Sequence, residues 1–155
     1  MSEIIYVEKL KQGADGNWNW VPEPLEINTE EDFTINEREL NREICRMGQL
    51  LVSYGDLAAE LNAELKRKEE YVKYIEARVA SALRSSYEAA GTRVTEGKLA
   101  EEVKVDTQYQ AALNTLHILR ASAAKAEHWW RAMNTKAKML ESLAFKQNAE
   151  IRRGI

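Results

Sequence analysis

The stretch at residues 37–90, ERELNREICRMGQLLVSYGDLAAELNAELKRKEEYVKYIEARVASALRSSYEAA, decides the fold. Its apolar residues recur in steps of three and four: Leu40, Ile44, Met47, Leu51, Tyr54, Ala58, Leu61, Leu65, Val72, Ile75, Val79 and Ala82. This heptad pattern predicts one helix of about 54 residues, roughly 80 Å long, with Lys68 in one seam position. An isolated helix is marginal in water, so the stripe predicts a partner helix of similar length.

A second heptad pattern of similar length occupies residues 107–152. Its seam positions are Tyr109, Ala112, Leu116, Leu119, Ala123, Ala126, Trp130, Met133, Ala137, Leu140, Ala144, Gln147 and Ile151. The connection between Gly91 and Gly97 is polar and too short for a parallel return, so the helices are predicted to pack antiparallel. Thr95 is predicted to open a short helix over residues 98–104, and Asp106 to cap the last helix.

The N-terminal residues predict a small β-hairpin. Residues 3–11 and 17–21 have strand character, and Gly13-Ala-Asp-Gly16 is turn chemistry. Pro22 and Pro24 are expected to end the second strand. A capping box at residues 34–37, with Thr34 as the cap, is expected to start the long helix. We therefore divide the chain into an N-terminal arm, residues 1–33, and a helical domain, residues 34–155.

The predicted class is mainly α: a long antiparallel two-helix hairpin with the small β-hairpin, assembling as a homo-oligomer. Self-association is expected because apolar side chains remain outside the first seam, at Leu50, Leu57, Leu83, Leu113, Ile118, Trp129 and Leu143. The alternative is a monomer in which the arm covers this face. Trp18 and Trp20 are expected to pack within the hairpin, or else to serve as a docking surface for a partner protein.

Composition limits the class of function. The net charge is −3, but residues 1–43 carry −7 and residues 104–155 carry +5. Cys45 is the single cysteine, so no intrachain disulfide forms, which fits a reducing cytoplasm. No signal peptide and no apolar run of membrane-spanning length is found, so a soluble protein without membrane association is expected.

The sequence contains no recognisable catalytic constellation. His117 and His128 are 11 residues apart, about 16 Å along a helix, which is too far for one metal ion. No phosphate loop, nucleophile elbow or CxxC pair is present. We expect a non-enzymatic protein without metal or cofactor.

A basic track with interleaved tyrosines is the main functional signal. Its bases are Lys66, Arg67, Lys68, Lys73, Arg78, Arg84, Arg93 and Lys98, and its rings are Tyr71, Tyr74 and Tyr87. Cations for phosphates and rings for bases are typical of single-stranded nucleic acid sites. The alternative is a set of surface bases balanced by Glu69, Glu70, Glu76 and Glu88.

The helix junction resembles the phage UvsY-like recombination mediators. The likeness spans about residues 40–150 and is carried by Ala82-Leu-Arg-Ser-Ser-Tyr87, by Val103-Lys-Val-Asp-Thr-Gln-Tyr109 and by the lysine-rich residues 134–143. The family's DNA-contacting basic motif ends the first long helix, where Arg84 and Tyr87 match it; the family's basic position two before Arg84 is Ala82 here. This departure shifts the expected DNA contacts toward Arg78, Arg93 and Lys98, and Lys73 of the basic track completes the predicted set.

The resemblance implies a function in phage recombination and repair. It implies a ring-like homo-oligomer of about six to eight subunits that binds single-stranded DNA. It also implies partners, a single-strand binding protein and a RecA-like recombinase that the mediator loads, in the host cytoplasm. The alternative function is a non-enzymatic scaffolding coiled-coil oligomer whose bases only confer solubility.

Overall fold

The computed structural model describes residues 2–12 and 18–154, with side chains except at residues 2, 8–10, 12, 18–20, 22 and 37. The elements are β1 (Ser2–Gln12), β2 (Trp18–Asn28), α1 (Thr29–Phe33), a 3-10 turn (Glu37–Glu39), α2 (Leu40–Ala89), α3 (Glu96–Val105) and α4 (Thr107–Arg153). The prediction of a mainly helical protein with a small N-terminal sheet and two long packed helices is confirmed. Within the described ranges, every helix is too short or too polar to cross a membrane.

The chain forms two compact units. One comprises Met1–Leu61 with Ser122–Ile155, and the other comprises Asn62–Ala121. We call them the arm unit and the junction unit. Each contains part of α2 and part of α4, because both helices continue from one unit into the other.

In the arm unit, β1 and β2 form an antiparallel pair in which β2 continues through both prolines. The prediction that Pro22 and Pro24 end the strand is therefore wrong. Pro24 faces Tyr6, and the Tyr6 amide points away from β2 and donates to Ser122 Oγ at 3.1 Å. The Pro24 nitrogen therefore lies on the side of β2 that faces away from β1, where proline costs no hydrogen bond between the strands. Pro22 is two residues earlier, so its nitrogen lies on the same side. The predicted turn at residues 13–16 and the Trp18 and Trp20 side chains lie outside the described residues.

The start of the long helix also differs from the prediction. Thr34 ends the short helix α1, and its hydroxyl donates to the Glu30 carbonyl at 2.6 Å. The cap is instead Asn36, whose side chain accepts from the Arg38 amide at 3.1 Å before the 3-10 turn leads into α2. Threonine and asparagine are both good N-cap residues, but the Thr34 hydroxyl is already bonded to α1, so Asn36 serves as the cap.

The core of the arm unit lies between α2 and α4. Tyr54 meets Trp129 edge-on, with ring centroids 6.4 Å apart, and Lys136 contacts Glu43. The two helices are antiparallel, because the later α2 residue, Tyr54, contacts the earlier α4 residue, Trp129, whereas Glu43 contacts Lys136. The buried apolar side chains of α2 and α4 in this unit are Leu40, Met47, Tyr54, Ala58, Leu61, Ala123, Ala126, Trp129, Met133 and Leu140.

Four seam assignments in this unit are wrong, and two of them are Gln147 and Ile151 near the end of α4, which are exposed. Trp130 is 40% exposed, whereas Trp129, which we expected on an open face, is buried. Ile44 is 39% exposed although Leu40 and Met47 are buried. Trp129 is buried instead of Trp130 because the arm packs on this side of α4, where Ser122 and Lys136 are buried as well.

A second buried stripe on α4 faces the arm. Ser122, Trp129 and Lys136 are spaced seven residues apart and are all buried. Ser122 receives the Tyr6 amide, and the Lys136 ammonium donates to the Asp32 and Thr34 carbonyls. The arm therefore packs on α4 and covers part of the face that the sequence analysis left exposed.

In the junction unit, α2, α3 and α4 share one apolar cluster. Val72, Ile75 and Val79 of α2 pack with Val103 of α3 and with Ala112 and Leu116 of α4. Leu83 and Leu113, expected to be exposed, lie partly buried against this cluster, whereas Ile118 is 46% exposed. Ala82 is also exposed and lies outside the seam.

The predicted stop of the first long helix is confirmed. Gly91 has a φ of +65°, the Thr92 amide donates to the Tyr87 carbonyl, and the Gly91 amide donates to the Glu88 carbonyl. This is a Schellman motif, in which a left-handed residue satisfies the last carbonyls of the helix. The predicted caps at Thr95 and Asp106 are also present, each accepting from backbone amides in the first turn that follows.

Gly91→Ala is expected to lower the free energy of unfolding by about 1 kcal/mol, because a Cβ disfavours the left-handed conformation. Urea denaturation followed by circular dichroism measures it. Gly97→Ala is the matched control, since Gly97 lies in α3 and an added Cβ meets nothing within 4 Å. The control should leave stability unchanged or slightly raised. Equal losses from both substitutions would contradict the role of Gly91.

Candidate nucleic-acid interface

The six residues predicted to contact DNA all lie in the junction unit. Lys73, Arg78, Arg84 and Tyr87 are on α2, Arg93 is in the connection, and Lys98 is on α3. All are exposed except Tyr87, which is half-buried. They separate into a compensated cluster and three cations with no acidic partner among the described residues.

The compensated cluster joins the end of α2 to α3. Arg84 pairs with Glu96 at 2.8 Å, and the Tyr87 hydroxyl donates to Glu102 at 2.5 Å. Lys98 lies 3.9 Å from Glu102, with its ammonium 5.2 Å from the centre of the Tyr87 ring. The residues that carried the resemblance at this helix end are therefore engaged with acidic groups of α3.

Lys98 is held in its charged form. The Tyr87 side chain first, and the Glu102 carboxylate second, raise the pKa of the Lys98 ammonium above its ordinary value. The ammonium also lies near the ring of Tyr87, whose electron-rich face favours a cation. These contacts favour a local role for Lys98 in fastening α3 to α2.

The other three predicted cations are less restrained. Arg78 donates to the Gln108 side chain, a neutral amide that leaves the guanidinium charge uncompensated. The side chains of Lys73 and Arg93 make no hydrogen bond or ion pair with any residue in the described part of the chain. Lys73 and Arg78 lie on different sides of α2, since five residues correspond to about 140° of rotation.

An exposed stripe of α2 carries two tyrosines flanked by arginines. We call Arg67, Tyr71, Tyr74 and Arg78 the tyrosine stripe; their steps of four, three and four place them on one helix face. Tyr71 and Tyr74 are 48% and 59% exposed, with ring centroids 6.4 Å apart and planes inclined by 34°. The Lys68 ammonium lies 5.4 Å from the Tyr71 ring centre. The stripe offers aromatic faces and cations to solvent together.

The charge around the stripe is moderately positive. Residues 66–78 contain five basic and three acidic side chains, whereas the whole junction unit contains ten and nine. One of the three acids, Glu69, pairs with Arg120 of α4 at 2.9 Å. The local excess of positive charge therefore coincides with the exposed rings.

Tyr71, Tyr74, Arg67 and Lys68 belong to the basic track, but none of them was among the six predicted DNA contacts. The signal that identifies them is a second set of three- and four-residue steps, which runs along α2 beside the buried seam. Recognising it requires knowing which stripe is buried, because both stripes have the same period.

The histidines do not form a metal site with other residues. His117 and His128 are both exposed on α4. In the described parts of the chain, no group of three or more histidine, cysteine, aspartate or glutamate side chains is placed to hold a metal ion. The tyrosine stripe is the arrangement with the clearest binding chemistry in the junction unit.

Comparison of the chain with protein-family models, with curated proteins and with solved structures finds no match.

Proposed function

We propose that the protein binds single-stranded DNA through the tyrosine stripe of its junction unit. The observation that carries the proposal is the pair of exposed rings, Tyr71 and Tyr74, with Lys68 over one of them and an arginine at either end. Aromatic rings stack on unpaired bases without sequence preference, and cations neutralise the phosphates between them. Duplex DNA hides its base faces, so the proposed ligand is a single strand.

The resemblance to the UvsY-like family supports a specific role for this binding. We propose that the protein acts without catalysis as a recombination mediator in phage recombination and repair. In this role it assembles as a homo-oligomer, helps displace the single-strand binding protein and assists loading of a RecA-like recombinase. Repetition of a modest site around an oligomer would raise its affinity for a long strand through avidity.

The alternative is a scaffolding coiled coil without a nucleic acid ligand. It is favoured by the ion pairs of Arg84 with Glu96, of Lys98 with Glu102 and of Arg120 with Glu69, which engage basic side chains within the junction unit. In that case the remaining bases serve solubility. A measurement of DNA binding distinguishes the two proposed functions, because only the mediator binds a single strand.

Binding of fluorescent oligo-dT is expected at about 50 mM salt and should weaken about 20-fold at about 200 mM. The estimate assumes that Arg67, Lys68 and Arg78 each neutralise one phosphate. For a single strand, log K falls by about 0.7 per neutralised phosphate for each tenfold increase in salt concentration. Fluorescence anisotropy measures both affinities. A duplex of the same length is the control and should bind more weakly, because its bases cannot stack on the tyrosines.

The scaffold alternative would be supported by the absence of binding at low salt. Equal affinity for the single strand and the duplex would also contradict the proposal, because it would remove the role of the exposed rings. Binding that is indifferent to salt would contradict the role of the arginines.

A further inference from the structure

An open apolar groove lies in the arm unit between β2 and α2. It has a volume of about 480 Å³ and is lined by Leu25 and Ile27 of the arm and by Leu50, Tyr54 and Leu57 of α2. Leu25 is 37% exposed, although the residues around it form an apolar floor. Exposed apolar surface of this kind marks an interaction site more often than an isolated surface leucine does.

The rim of this groove is acidic. Glu26, Asp56 and Glu60 are exposed, and their carboxylates have no hydrogen-bond or ion-pair partner in the described part of the chain. Asp32, the fourth acid, is already engaged by Arg46 at 2.6 Å and by the Tyr54 hydroxyl at 2.8 Å. Three uncompensated carboxylates around an apolar floor favour an occupant that is both cationic and apolar.

The last turns of α4 have this complementary chemistry. Phe145 and Ile151 are 79% and 73% exposed. Residues 145–153 contain Lys146, Arg152 and Arg153 against the single acid Glu150. The three bases are exposed and unpaired within the described ranges, so this segment, which we call the α4 end, presents apolar and cationic side chains together.

The α4 end cannot enter the groove of its own chain. The groove lies beside Tyr54, which contacts Trp129 of α4. The helix continues unbroken from Trp129 to Arg153, so Phe145 and the residues after it lie more than about 20 Å farther along the axis. A straight helix does not fold back over this distance.

We propose that the groove receives the α4 end of a second copy of this chain. The leucine floor would take Phe145, while Glu26, Asp56 and Glu60 would face Lys146, Arg152 and Arg153. The two surfaces are different parts of the chain, so the contact is heterologous, and successive copies would join head to tail. Charge complementarity favours the contact of a groove with an α4 end. It opposes the contact of two grooves or of two α4 ends, because like charges would then face each other.

The test is a charge swap followed by sedimentation equilibrium on the full chain. In Asp56→Lys/Glu60→Lys the groove becomes basic, and in Lys146→Glu/Arg152→Glu/Arg153→Glu the α4 end becomes acidic. Each variant alone juxtaposes like charges and should raise the apparent dissociation constant of the assembly by at least about tenfold. An equimolar mixture offers both complementary pairings again and should recover association.

Glu88→Lys/Glu101→Lys is the matched control, because it changes the net charge as much as the groove variant does at exposed sites outside the arm unit. It should associate like the wild type. Circular dichroism checks that every variant keeps its helices.

Three outcomes would overturn the proposal. The first is a wild-type mass that stays at 17.7 kDa at all concentrations. The second is an unchanged assembly in either reversed variant. The third is a mixture that does not recover association, which would show that the two surfaces do not meet. None of these variants alters the tyrosine stripe. Oligo-dT binding can therefore be measured on a monomeric variant, and its result tests the DNA site independently of the contact between copies.

Discussion

Lys136→Met is expected to lower the free energy of unfolding by about 3–5 kcal/mol. The Lys136 side chain is 3% exposed, and its ammonium donates to the Asp32 carbonyl at 2.7 Å and to the Thr34 carbonyl at 2.8 Å. It also lies 2.8 Å from Glu43 Oε2, a buried atom with no hydrogen bond of good geometry to any described residue. Methionine preserves much of the volume but leaves a buried carboxylate without its countercharge and two carbonyls without a donor.

Urea denaturation measures this loss, which is large against the total stability of a typical domain. Lys138→Met is the matched control, because Lys138 is exposed and its side chain has no partner in the described residues; it should change stability by less than about 0.5 kcal/mol. Adding Glu43→Leu to Lys136→Met should recover part of the loss, since the uncompensated charge is then removed. A loss below about 1 kcal/mol in the single variant would contradict this account of the buried ammonium.

Tyr71→Ala/Tyr74→Ala is expected to weaken oligo-dT binding by about 30-fold or more. Base stacking on an aromatic side chain contributes about 1–3 kcal/mol per base, and about 2 kcal/mol corresponds to a factor near 30. The salt dependence should be unchanged, because neither tyrosine neutralises a phosphate. Alanine favours the helix at least as well as tyrosine, and both positions are exposed, so the fold should be kept.

Tyr71→Phe/Tyr74→Phe is the control for this variant, since phenylalanine retains the ring and should retain the affinity. Arg67→Gln/Arg78→Gln provides the converse measurement, because removing two cations should reduce the salt slope by about 1.4. If the alanine variant binds oligo-dT as tightly as the wild type, the tyrosine stripe is not the DNA site.

Three of the helix boundaries were predictable because each depends on local chemistry. Gly91 and the caps at Thr95 and Asp106 act on their own neighbouring backbone, and the structure contains all three. The alternation of three- and four-residue steps likewise depends only on helical geometry. These features do not require knowledge of what packs on the helices.

The contacts of the arm were not predictable in the same way. Between Ala126 and Met133, the periodic pattern accepts either Trp129 or Trp130, because both choices use one step of three and one of four. The arm decides between them by adding a second buried face to α4, where Trp129 meets Tyr54 and Lys136 meets two arm carbonyls. A lysine at such a position is indistinguishable from a surface lysine until its acceptors are known.

The candidate site was predicted only as a region. The basic track and its tyrosines were visible in the sequence, but the acidic partners of its bases were not. Arg84 pairs with Glu96, which is 12 residues away on α3, and Lys98 pairs with Glu102, one turn farther along α3. Which bases remain uncompensated depends on how α3 packs on α2. The exposure of Tyr71 and Tyr74 depends in the same way on which stripe of α2 is buried.

The phase of the two prolines in β2 has a consequence for how copies of this protein meet. On the outer side of β2, the amide donors that an incoming strand would need are missing at both positions, while on β1 the Tyr6 amide is already bonded to Ser122. The sheet is therefore capped against templated growth by strand addition, the route by which exposed edges seed fibrils. If copies gather on one DNA strand as proposed, contacts between their side chains would be favoured over extension of the backbone ladder.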